Sequence, residues 1–260
     1  MGGYSAQVPP WLLDEFAHAG AEHLDDAYVA GYERKAGYDP SSDVERLREL
    51  GLDQISTLVD LGAGTGVFAL AAAPFCRRVV AVDISTQMLA AVDAQARLRG
   101  ITNLECVRSG FLTYEHHGEP ADFVYTRHAL HHLPDFWKAV ALARITAMLR
   151  PGGVFRLRDL VYSFDPREAD RVLEAWLARA TRRPEDGWTR PELETHVRDE
   201  HSTFTWLLEP MLERAGLKIE ERVYSDSQVY AAYTCVRAGT PSHAAEREPG
   251  SNRKVQSQSP

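Results

Sequence analysis

The chain has 260 residues, 44% hydrophobic and 25% charged, with a formal net charge of −8, enough apolar material for one α/β domain with insertions or two small domains. That acidic balance, with a pI near 5.7, argues against a broad phosphate-binding surface. No apolar run reaches the roughly 18–20 residues that span a bilayer, and the opening MGGYSAQVPPWLLDEF lacks a signal-peptide pattern and, with Ala6 at its sixth place, a myristoylation site, so a soluble cytoplasmic protein is expected.

From about Pro10 to Glu49 the apolar spacing predicts helix, with Leu13, Phe16 and Ala17 on one face and Leu24, Tyr28 and Tyr32 on another. ISTLVDL reads as a buried strand and GVFALAAAPF as a helix running away from a glycine turn. RVVAVDIS is a second buried strand, and Ser85 caps the helix TQMLAAVDAQARLRG, which Gly100 closes. NLECVRSGF and ADFVYTRHAL are the third and fourth strands. DFWKAVALARITAML is a helix with Trp137, Val140, Ile145 and Met148 inward, and VFRLRDLV is a fifth strand. Strand–helix alternation from Ile55 to Val161 requires right-handed βαβ units and a largely parallel sheet. Residues 164–215 are mostly helical and carry Trp176, Trp188 and Trp206, and GLKIEERVYS and SQVYAAYTCVRA form a closing antiparallel hairpin. The three cysteines, Cys76, Cys106 and Cys235, are odd in number and far apart, as buried free thiols would be.

The turn after the first strand, LVDLGAGTGVFAL, places Gly62, Gly64 and Gly66 where an open α/β sheet binds ligands. Asp83 ends the second strand about 20 residues on, the usual place for a carboxylate that accepts from ribose hydroxyls. A dinucleotide turn is G-x-G-x-x-G. Here the third glycine comes one residue early and Phe68 follows it, a poor fit to that pattern. Asp60 beside the loop suits a ligand without phosphate and with a cationic end.

Taken in order, LVDLGAGTGVFAL, VVAVDIS, FVYTRHALHHLPD and LRPGGVFRLRD resemble the motifs of class I S-adenosylmethionine-dependent methyltransferases, over roughly Thr57 to Tyr162. The resemblance implies a doubly wound, mostly parallel seven-stranded α/β sheet with an antiparallel last strand. Residues 1–50 would form an N-terminal helical lid, 51–238 the methyltransferase domain with its helical insertion at about 164–215, and 239–260 a disordered tail. It also implies S-adenosyl-L-methionine as cofactor. Gly62, Ala63, Gly64 and Gly66 would line its methionine and ribose, Asp60 would address the cationic end, Asp83 would hold the ribose, and Ile84 and Met88 would flank the adenine. Arg127 and His128 would lie beneath the methionine, and Tyr28 would reach over the cofactor from the lid. Relatives usually carry Gly-Asp after the third strand, the Asp taking the adenine amino group. This chain has Ser109-Gly110-Phe111, which shifts that task to backbone groups and to packing on Phe111.

Methyl transfer from a sulfonium is an in-line displacement in which the protein supplies alignment and, for some acceptors, a base. Candidates on the acceptor side are Tyr32 in the lid, Asp159 beside Arg158 in RLRDL, and His201 beside Glu200 in the insertion. Arg158 and Asp159 fall in a strand expected to be buried, where charges are costly unless paired or used. His128, His131 and His132 invite a metal reading, but no nearby Cys or carboxylate completes a ligand set, so no metal is expected and His131 and His132 read as packing and capping residues. The base-modifying N/D-P-P-Y/F/W motif is absent, with TRHAL in its place. The expected partner is a small-molecule methyl acceptor. RNA or protein methylation, and cofactor binding without turnover, stand as the alternatives.

Overall fold

A computed structural model of the chain describes residues 9–18, 35 and 37–239. β1 (Thr57–Leu61) is buried along its whole length because it lies mid-sheet, with helices on both faces. β2 (Arg78–Asp83) and β3 (Leu104–Arg108) pair outward on one side of it, and β4 (Ala121–Arg127) and β5 (Leu149–Tyr162) on the other, all parallel. β7 (Leu217–Tyr224) and β8 (Tyr230–Arg237) complete the order β3-β2-β1-β4-β5-β8-β7, with β8 antiparallel to both neighbours. The expected seven-stranded sheet and its antiparallel last strand are therefore present. A two-residue β6 (Thr203–Phe204) adds to the end of β5 at Val161 and Tyr162.

The helices are α1 (Glu15–His18), α2 (Ser41–Glu49), α3 (Val67–Ala72), α4 (Thr86–Leu98), α5 (Asp135–Met148), α6 (Ala169–Leu177), α7 (Arg190–Asp199) and α8 (Thr205–Arg214). Alternation along the strands sorts the core into two layers. Leu58, Val79, Ala81 and Phe123 pack with Leu47, Leu70 and Val92 from α2, α3 and α4. Val59, Val80, Val82 and Val124 face Leu142, Ile145 and Leu212 from α5 and α8. Ser85 caps α4, its Oγ accepting from the Met88 N–H at 3.3 Å, and Gly100 follows the helix at φ +67°.

Helix was expected continuously from Pro10 to Glu49, and here the structure differs. Residues 9–14 are non-helical and α1 is a single turn. Gly37, at φ +53°, and Pro40 break the chain before α2. Asp39 turns that break by accepting from the Ser41 N–H at 2.9 Å. Tyr28, Tyr32 and the tail from 240 lie outside the described residues. Cys76 and Cys235 are buried, but Cys106 is only half-buried, because β3 is an edge strand. Trp176 builds a third apolar cluster with Tyr162, Phe164 and Val229 under the insertion. Trp188 is half-buried beneath the Lys35 ammonium, 4.7 Å from its ring centroid, and Lys35 also pairs with Glu192 of α7. Trp206 is exposed. Among the described residues no helix is long and apolar enough to cross a membrane.

Asp43, in the first turn of α2, is buried and fastens this helix to the sheet. Its Oδ2 accepts from Tyr38 at 2.8 Å, Tyr125 at 3.0 Å and Arg158 at 2.6 Å, and the Arg156 Nε lies 3.7 Å from Oδ1. Arg158 is thereby a paired charge on β5. Removing one member of a buried ion pair strands the other, at a cost of about 3–5 kcal/mol. Asp43→Ala is expected to lower the unfolding free energy in urea by that amount, and a loss below about 1 kcal/mol would show that the hub carries no stability.

Candidate active site

The strand order reverses between β1 and β4, which opens a crevice at the carboxyl ends of these strands. The turn after β1 is pinned to β2, where the N–H groups of Gly62 and Ala63 both donate to the Val82 carbonyl, at 2.9 and 3.0 Å. Gly62 has φ +70°, and a Cβ on it would stand 2.4 Å from the Ala129 Cβ in the turn after β4. Only glycine allows both the dihedral and the contact. Gly66 serves packing instead. Its missing Cβ would meet Val92 methyls at 2.7 and 2.9 Å, so α3 and α4 approach through it.

Asp83 fixes the acid of this site. Its Oδ2 accepts from the Gly64 N–H and its Oδ1 from the Ser85 N–H, each at 2.8 Å. Each carboxylate oxygen offers two lone pairs, so a carboxylate can accept from more than two donors at once. Ile84, Met88 and Phe111 form an apolar wall beside it, in a cleft enclosing ≈ 760 Å³ with its open mouth included. Arg127, His128, His132 and Leu133 line it as well.

Glu15 of α1 also lines the cleft, beside Gly110. A Cβ on Gly110 would lie 2.4 Å from its carboxylate, so the glycine leaves the room that Glu15 takes. Glu15 accepts from the Leu112 N–H at 3.0 Å and the Thr113 hydroxyl at 3.4 Å. Burial raises its pKa above the usual carboxyl value against the pull of those donors. His128 is held at φ +48°, its N–H donating to the Arg158 carbonyl at 2.9 Å. Burial, and then the Arg127 charge beside it, push its imidazole down to about 3, so it is neutral at physiological pH. Asp60 lies under the loop, buried, with no hydrogen-bond partner for its Oδ2 among the described residues. Burial and the nearby Asp83 push this carboxyl up to about 8.

Of the residues expected to meet the cofactor, Gly62, Gly64, Asp83, Ile84, Met88, Ser109, Gly110, Phe111, Arg127 and His128 line the cleft. Asp60, Ala63 and Gly66 lie behind it, and Tyr28 is outside the described residues. Glu15, Ala129, His132 and Leu133 are lining residues that sequence reasoning missed. Neither Asp159 nor His201, both expected on the acceptor side, reaches the cleft, and Tyr32 is outside the described residues. Asp159 turns instead to His131, with its Oδ1 2.5 Å from Nδ1 and its Oδ2 accepting from the His131 N–H at 3.1 Å. His201 contributes backbone, its N–H donating to the His131 carbonyl at 2.9 Å and its carbonyl accepting from Lys138. The side chains facing the other edge of His131 are Glu200 and His196. His131 is therefore more than a packing residue. Burial alone would lower the His131 pKa and raise that of Asp159 and Glu200. Their mutual pairing overrides it, pushing His131 up to about 9 and Asp159 down to about 2, with Glu200 well below the usual carboxylate range.

Residues 58–153 match a family model described as a methyltransferase domain. An uncharacterized methyltransferase of Bacillus subtilis (strain 168), YcgJ, is 28% identical over 109 residues, 42% of this chain and 42% of that protein. The match thus spans less than half of that relative's length. A SAM-dependent methyltransferase from Aquifex aeolicus superposes with a TM-score of 0.55 at 17% identity, over 82% of this chain and 99% of that one. An O-methyltransferase family 2 protein from Planctomyces limnophilus DSM 3776, in complex with apigenin, gives 0.58 at 15% identity, over 88% and 63%. Likeness at such identities speaks for the fold. Together, the matched segment, the sheet order and the glycine turn held against Asp83 show a chain with the fold of class I methyltransferases and a methyltransferase-like domain over residues 58–153.

Proposed function

We propose that the protein transfers a methyl group from S-adenosylmethionine to a small-molecule acceptor. The observation that carries this reading is Asp83, locked between the Gly64 and Ser85 N–H groups at the switch point and lining the cleft. The residues present fit the cofactor. Asp83 would accept from the ribose hydroxyls, and Gly62 and Gly64 would let the methionine portion approach the backbone. Ile84, Met88 and Phe111 would enclose the adenine. The acid missing after β3 is replaced from elsewhere in the chain, since the Glu15 carboxylate over Gly110 is placed to accept from the adenine amino group.

When bound, the cofactor supplies an activated methyl carbon; the protein supplies alignment, charge and exclusion of water. His128 and His132 also line the cleft and would meet the acceptor. A neutral His128 offers an acceptor lone pair there without opposing the cofactor's positive charge. The small-molecule reading rests on the enclosed, largely apolar cleft and the acidic chain. The apigenin held by one structural neighbour is a small molecule of that class. The insertion and the N-terminal segment meet through Lys35 and Glu192, an arrangement suited to covering such a cleft.

Calorimetric titration is expected to give micromolar binding of S-adenosylmethionine and its demethylated product and none of NAD. Charge-assisted hydrogen bonds contribute about 1.5–3 kcal/mol, so Asp83→Ala should weaken binding roughly 10- to 100-fold. NAD binding, or no binding, would overturn the assignment.

Glu15→Gln should weaken the adenosine-containing product about tenfold, but leave unchanged an analogue whose base has a carbonyl in place of the amino group. Equal weakening of both would remove Glu15 from base recognition.

Asp60 gives a pH test. Between the ordinary carboxyl value and about 8, unfolded Asp60 is ionised while folded Asp60 keeps its proton, so its contribution to stability is lost as pH rises through that window. Relative to Asp60→Asn, the unliganded wild type should lose about 1.4 kcal/mol per pH unit between pH 5 and 8. A gap independent of pH would mean that Asp60 is ionised in the fold.

A further inference from the structure

Outside the glycine cleft, the structure gathers a second group of chemically capable side chains from three distant elements. His131 sits in the turn between β4 and α5, His196 on α7, and Glu200 just after it. His131 Nε2, one imidazole nitrogen of His196 and a Glu200 carboxylate oxygen all lie within 4.8 Å of one another. Both histidine side chains and Glu200 are largely withdrawn from solvent.

Three features distinguish this group from an ordinary buried ion cluster. First, the ligand-facing edges converge while the opposite edges are held. His131 Nδ1 is 2.5 Å from the Asp159 carboxylate, and His196 Nε2 is 3.0 Å from the Ser202 hydroxyl. A carboxylate or hydroxyl on the far nitrogen is the usual way a metal-binding imidazole is oriented and its tautomer fixed. Second, one buried Glu200 oxygen is shared between both rings, 3.0 Å from His131 Nε2 and close to His196 Nδ1, so that a carboxylate and two imidazoles converge on one point. Third, the frame around the group is rigid. β6 pairs with the end of β5, the His201 N–H donates to the His131 carbonyl, and Thr203 donates to Asp135 at 3.2 Å.

We propose that His131, His196 and Glu200 bind one divalent ion of the zinc class, with Asp159 and Ser202 orienting the two imidazoles. Two nitrogens and one carboxylate oxygen suit zinc, whose bonds to such donors run about 2.0–2.2 Å. They do not suit magnesium or calcium, which take oxygen ligands. Small rotations of the side chains bring donors at these separations onto one ion. Three protein ligands leave a fourth position for water or an acceptor oxygen, the pattern of an open rather than a closed structural site. The His131 ring lies 4.3 Å from that of His132, which lines the cleft, so the ion would stand close to the cleft. There it would lower the pKa of a bound hydroxyl. The ion site itself does not depend on the cofactor assignment.

The test uses the full chain without a polyhistidine tag. Metal analysis after gel filtration is expected to find close to one zinc per chain, removable by a strong chelator. Restored Zn²⁺ should be held at submicromolar affinity against a chromophoric chelator, with Mg²⁺ failing to compete. His196→Ala and Glu200→Gln should each weaken binding at least 100-fold with the circular dichroism spectrum unchanged, and Asp159→Asn about 10- to 100-fold. Absence of stoichiometric zinc together with affinity no better than millimolar would overturn the proposal, as would wild-type affinity in the His196 and Glu200 variants. Should those variants fail to fold, Co²⁺ loaded into the wild type decides. Intense tetrahedral d–d bands support the site, and the pale spectrum of the hydrated ion refutes it.

Discussion

The contact between Gly62 and Ala129 is the constraint on which the site depends. Two strands that run side by side must let the chain leave in opposite directions, one turn towards α3 and the other towards α5. Those turns can touch only because Gly62 has no Cβ. Separate them by the width of one methyl group and the pinning of Gly62 and Ala63 to the Val82 carbonyl is disturbed as well, and with it the position of Gly64 against Asp83. Ligand-facing backbone, acid and apolar wall are thus set by one close approach.

Buried charge is the second organising theme. Asp43, Asp83 and Asp159 are each supplied with donors: a tyrosine pair and Arg158 for the first, backbone N–H groups for the second, His131 and backbone for the third. Each of these carboxylates ties together elements that are distant in sequence. Asp60 alone among them has a buried oxygen with no hydrogen-bond partner in the described residues, and its carboxyl keeps a proton as a result. The cost of an unpaired buried charge explains this division. It also explains why Arg158 and Asp159, read from the sequence as candidate site residues, face their own partners rather than the cleft.

What was legible in the sequence was local. The glycine turn, Asp83 at the end of β2 and the Ser85 cap lie within a short span, and their roles follow from spacing alone. Glu15 was hidden because its hydrogen bond to Leu112 joins residues 97 apart. One signal did exist: Gly110 followed by Phe111 leaves the expected acid missing, and an acid on the N-terminal segment was available to fill the gap. His131 and Asp159 are 28 residues apart, and Glu200 is further still, so a search for a carboxylate near the histidines in sequence could not find either. The spacing of His196 and Glu200, one helical turn apart, was the usable hint. Continuous helix from Pro10 failed on Gly37 and Pro40, whose backbone preferences outweighed the apolar period.

The same distinction separates what the chain shares with its relatives from what is its own. The cleft floor is built from turns between consecutive strands of a parallel sheet, so any chain with this topology and these glycines forms it. What adjoins it is built otherwise. Glu15 comes from before the sheet, His196 and Glu200 from the insertion after β5, and Lys35 joins the N-terminal segment to that insertion through Glu192 and Trp188. None of these contacts is required by the strand order. Under the proposed function, substrate choice would reside in such added elements, because a common fold leaves them free to differ while the floor of the cleft stays fixed. The methyl acceptor is therefore to be sought through the chemistry of the Glu15 segment and the His131–His196–Glu200 cluster rather than through the fold.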